Sequence, residues 1–107
     1  MNLAEPAASS ANSAVDQIAT ELERVVRRWQ QLPLDHALSV CPRVHGLVQH
    51  LADQVAPHLG MPITPVPDLG PAVVMDQLRV MVFDYQESGL DLKALALRLT
   101  ELRRSLP

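Results

Sequence analysis

The single cysteine and the four histidines of this 107-residue chain are the first place to look for chemistry. Cys41 and His45 stand four apart, a spacing that sets two side chains on one face of a helix. His36 and His58 flank them in the sequence. Tetrahedral zinc requires three or four such groups converging, commonly in patterns such as CxxC or HExxH, and neither pattern occurs. His45 and His50 are five apart and would point about 140° away from each other on a helix. The sequence therefore predicts no metal site and no cofactor. A second chemistry rests on the same pair. Pro42 suits the first position of a helix, which would leave Cys41 at the cap, where free amides lower a thiol pKa, with His45 one turn on. This is the reading as a small thiol-dependent enzyme, or a redox or metal sensor, built on Cys41 and His45.

Other catalytic signatures are missing. The chain has no glycine-rich phosphate loop, no G-x-S-x-G and no E-x-x-H pair of a di-iron bundle. Asp76 and Asp84 share a helical face, but that face reads as a solvated edge. No catalytic residue is assigned beyond the Cys41 and His45 alternative. A transcriptional or antitoxin-like regulator would use the arginines at 24, 27, 28, 98, 103 and 104. Glu21, Glu23 and Glu101 interleave with these, however, and the net charge is −3. Residues 36–56 have the length of a helix-turn-helix, but their second half lacks a basic, base-reading face.

The elements that position these residues follow from hydrophobic periodicity. Val15, Ile18, Leu22, Val25, Trp29 and Leu32 recur at alternating spacings of three and four, a helix over about 13–31 that Pro33 ends. A short helical turn capped by Asp35 is expected over 34–40. A second helix follows over about 42–56, opened by Pro42 and faced by Val44, Leu47, Val48, Leu51 and Val55. Residues 57–70 hold prolines at 57, 62, 65 and 67, which exclude a helix or a central strand. Aliphatic residues interleave with these prolines, so the segment reads as an ordered connector pressed on the core. Pro71 opens a helix over about 71–88, ended by Gly89, and Asp91 caps the last, over about 91–106. The expected fold is all-α, an antiparallel four-helix bundle, with a disordered tail at 1–12 and one domain from 13 to 107.

Composition agrees with a single soluble core. Hydrophobic residues make up 48% of the chain and aromatics only 3%, and no apolar run is long enough for a membrane span. One cysteine excludes an internal disulfide framework and points to a reducing, cytoplasmic setting. Lys93 is the sole lysine among nine basic residues, a bias expected of a GC-rich bacterial genome.

One feature departs from a plain bundle. The main stripe of the third helix is Val74, Leu78, Met81, Val82 and Tyr85, yet Val73, Val80 and Phe83 fall in its polar half, spaced seven and three apart. A helix apolar on two sides is either central in its domain or paired with another chain. The connector, through Ile63 and Val66, is the internal candidate to cover the second stripe. The external candidate is an interface made of Val73, Val80, Phe83, Ile63 and Val66, with Phe83 and Trp29 as aromatic anchors. The function expected is a small cytoplasmic interaction module that forms a homodimer or docks to another protein, with no membrane or nucleic-acid partner.

Overall fold

A computed structural model describes residues 5–107, with side chains from residue 12 onward. Four helices follow one another: α1 (Glu5–Gln31), α2 (Leu34–His58), α3 (Val74–Glu87) and α4 (Leu92–Ser105), with no strand among the described residues. The all-α bundle expected from periodicity is what forms.

Three boundaries differ from expectation by three residues or more, each for a local reason, and α2 also runs on through Pro57 to His58. Helix α1 begins at Glu5, so the expected tail is helical from that residue, while residues 1–4 lie outside the described residues. Its first turns are rich in alanine, the best helix former, and Pro6 falls where a missing N–H is of no consequence. The turn at 34–40 and the helix at 42–56 are one continuous helix. Pro33 occupies the cap position, and Asp35 lies in the first turn without a capping hydrogen bond. Pro42 is tolerated inside α2 because it faces solvent, as does Leu38, whose carbonyl loses its partner and can bond to water. Helix α3 starts three residues later than Pro71. The Asp68 carboxylate accepts the Gly70 N–H at 3.1 Å, Gly70 adopts φ +86°, and Val73 and Val74 then donate to the Gly70 carbonyl. Asp91 caps α4 as expected, accepting from the Lys93 and Ala94 amides at 3.0 and 3.2 Å.

The connector decides the topology. Gln49 of α2 donates to the Thr64 carbonyl and accepts the Val66 N–H at 2.7 Å, and His45 bonds the Val66 carbonyl at 2.9 Å. Further along, Trp29 Nε1 donates to the Pro71 carbonyl at 3.0 Å. The connector thus travels back along α2 from its C-terminal end to the junction of α1 and α2. Residues 59–73, extended at about 3.1 Å each, span about 45 Å, enough to retrace a 25-residue helix of about 37 Å. Helix α3 therefore starts beside the start of α2 and runs parallel to it. Helices joined by short links, α1 to α2 and α3 to α4, run antiparallel as expected. The closest-packed pairs, α1 with α4 and α2 with α3, run parallel. In the first pair the order of contacts shows it: Glu21 meets Arg103, and Arg28 further along meets the Pro107 carbonyl.

The core comprises Ile18, Val25, Val44, Val48, Leu51, Val74, Leu78, Val82, Leu95 and Leu99, all nearly inaccessible to solvent. On α1 the buried face is Ala14, Ile18, Glu21, Val25, Val26 and Trp29, and Val15 is exposed. Of the expected stripe Ile18, Val25 and Trp29 are buried and Leu22 and Leu32 pack partly against the core, and only Val15 is exposed. The buried face is wider than that stripe and takes in a carboxylate, Glu21.

Candidate functional site

Cys41 lies in the third turn of α2, well past its first free amides, and is 7% exposed. The dipole argument for a reactive thiol therefore fails. Burial pushes the thiol pKa up, and the nearby Asp68 carboxylate pushes it the same way. His45 sits one turn on and shares an open groove with Cys41, Asp68 and Pro71. Its Nε2 faces the Val66 carbonyl, an acceptor, so that nitrogen donates and is not free to act as a base or ligand. His36 and His58 stand at opposite ends of the same helix, about 33 Å apart by its rise. Among the described residues no three of His, Cys, Asp and Glu converge. Residues 36–56, expected to have helix-turn-helix length, form an unbroken stretch of α2 with no turn between two helices.

Arg103 and Arg104 lie in the last turn of α4, where a cation complements the helix dipole, and Arg103 does more. Its guanidinium bonds Glu21 of α1, Nε to Oε2 and Nη2 to Oε1, the latter at 3.3 Å. Glu21 is only 5% exposed, with Thr100 buried beside it and Arg24 at 3.5 Å. The Arg103 hydrogen bond holds the Glu21 carboxyl below its usual range, although burial opposes it. This pair bolts α1 to α4. It is a structural group, and the sequence signal for it was available: position 21 lies three beyond Ile18 and four before Val25, in the centre of the buried face.

The remaining candidate is the second apolar stripe of α3. Val80 is 57% exposed and Phe83 60% exposed, so the connector does not cover them. Val73 is half-buried at the cap of α3. Ile63, on the connector, is 60% exposed. Val66 differs: it packs against the core, with its amide and carbonyl both held by α2. The Gln77 amide donates to the Pro67 carbonyl at 3.0 Å, which fixes the connector alongside α3 on one flank. Trp29 is buried and contributes to the interior rather than to this surface.

The outer face of α3 is ordered by type. Asp76, Val80, Phe83 and Glu87 are all exposed and recur at spacings of four, three and four, which sets them in one row along the helix. Arg79 flanks the seam on the side toward α1, where it borders a groove with Glu23, Val26 and Arg27. Asp84 and Gln77 flank it on the connector side. Asp76 and Arg79 form a solvent-exposed ion pair at 3.3 Å. On the opposite side of α3, Val74, Met75, Leu78, Val82 and Tyr85 are buried. Comparison with protein-family models, with curated proteins and with solved structures finds no match to this chain. No helix is long and apolar enough among the described residues to cross a membrane.

Proposed function

We propose that this protein is a small helical interaction module, working in the cytoplasm, whose docking surface is the outer face of α3 with the adjoining connector. The observation that carries this reading is the exposure of Val80 and Phe83 on a helix whose other face is already buried. A free-standing small domain gains nothing from leaving a phenylalanine and a valine in water side by side. Ile63, on the connector, is likewise exposed. Large aromatic side chains of this kind act as anchors in interfaces, where desolvating them supplies much of the affinity. The buried thiol with its raised pKa and the donating His45 argue against the alternative of thiol chemistry.

The test is Val80→Asp and Phe83→Asp. Both positions are exposed, so each variant should keep wild-type helicity by circular dichroism. Each should lose association, measured by light scattering on a sizing column and by affinity capture from the native host. Variants that associate as the wild type does would remove the support for this surface.

A further inference from the structure

We infer that the partner of the α3 face is a second copy of this chain, and that the two α3 helices pack side by side and parallel about a two-fold axis. This deepens the reading above and rests on it. In heptad terms Val73 and Val80 take successive a positions, with Asp76 and Phe83 at d, Glu87 at the next a, Arg79 at g and Asp84 at e. A parallel two-stranded seam sets each a residue against its own copy and each d residue against its own copy. Val80 then meets the Val80 of the other copy and Phe83 meets the other Phe83. In the same geometry a g residue faces the e residue five positions on in the other strand. Arg79 of each copy thereby faces Asp84 of the other, which gives two symmetric ion pairs flanking the apolar centre.

Charge selects the orientation. An antiparallel pair centred on the same apolar residues sets Val80 against Phe83, which brings Arg79 to Gln86 and Asp84 to Gln77 of the other copy, so neither ion pair forms. β-branched residues at a favour two strands over three or four, and valine holds both a positions before Glu87. The seam is closed at its ends by acids: Asp76 and Glu87 each face their own copy, which weakens the pair and confines the apolar contact to its middle. With about four turns of helix, the contact falls short of the roughly 800 Å² per partner of a standard stable interface. The dimer is accordingly a weak, concentration-dependent one.

The experiment is sedimentation equilibrium of the full chain up to millimolar concentration, on the wild type, R79E, D84R, the R79E/D84R double variant and V80D. The wild type should show a monomer–dimer equilibrium. R79E and D84R should each weaken it about tenfold, since each turns two attractions into repulsions, and the double variant should restore it. In an antiparallel pair positions 79 and 84 face the neutral Gln86 and Gln77, so the single reversals would leave the affinity in place. V80C supplies a second readout. In the parallel register position 80 abuts its own copy, whereas an antiparallel pair on the same seam sets it against position 83, so mild oxidation should link V80C dimers, while the buried Cys41 leaves the wild type unlinked. A wild type that stays monomeric at millimolar concentration overturns the inference and leaves docking to a different protein as the reading of the face. A dimer indifferent to R79E and D84R but dissolved by V80D overturns the parallel pairing alone. A dimer indifferent to all three overturns both readings.

Discussion

Gly46 lies at the middle of α2, on a surface that opens to solvent, and its replacement by alanine should make the protein more stable. Glycine in a helix interior is less favourable than alanine by about 0.8–1.0 kcal/mol, because the unfolded chain loses more freedom on ordering it. Whether that gain is realised depends on the space a Cβ would enter. At Gly46 no atom beyond the helix's own local backbone lies within 4 Å of that point. No clash offsets the gain and no new contact adds to it, so the expected increase is about 0.5–1 kcal/mol. For a domain of this size that corresponds to a melting midpoint raised by about 4–8 °C per kcal/mol. Gly89 provides the internal control. It also has open space at its Cβ, but its φ is +73°, a left-handed conformation that costs an L-residue about 1–2 kcal/mol. Gly89→Ala should therefore lower stability by about that amount. Urea unfolding followed by circular dichroism, with the slope unchanged, measures both. If Gly46→Ala left stability unchanged or reduced it, α2 would not be a regular, open helix at that point, and the account of Pro42 within it would fail as well.

Two further outcomes follow from named contacts. Asp91→Ala removes the acceptor for two free amides at the start of α4 and should cost about 1 kcal/mol, read as a lower urea midpoint. Arg103→Ala should flatten one pH dependence. In the wild type the Arg103 hydrogen bond holds the Glu21 carboxyl below its usual range, so its contribution is present above the unfolded carboxyl's range and is lost as pH falls through the folded-state pKa. Removing Arg103 removes the largest influence that lowers the carboxyl while burial still raises it, so the acid loss of stability in the variant should shrink. Unfolding midpoints of both proteins from pH 3 to pH 7, at matched ionic strength, check this; a variant whose acid slope matched the wild type's would show that Arg103 does not govern Glu21.

Much of this protein was readable from spacing alone. The three-and-four recurrence of aliphatic residues determined four helices, because only helical backbone puts such positions on one side. The Asp91 cap, the Gly89 stop and the second stripe on α3 were likewise legible, since each depends on residues adjacent in sequence. Pro42 misled because sequence records the missing N–H but not which way the residue faces, and a proline on the wet side of a helix leaves its orphan carbonyl to water. The same blindness hid the partner of Glu21: its place on the buried face is legible from Ile18 and Val25, but Arg103, 82 residues away, is not. Parallel packing of α1 with α4 and of α2 with α3 was decided only by tertiary structure. Hydrophobic patterns say which face is buried but carry no direction. The direction came from a connector long and stiff enough to retrace α2, held there by Gln49, His45, Gln77 and Trp29, whose hydrogen bonds join segments that no local rule connects.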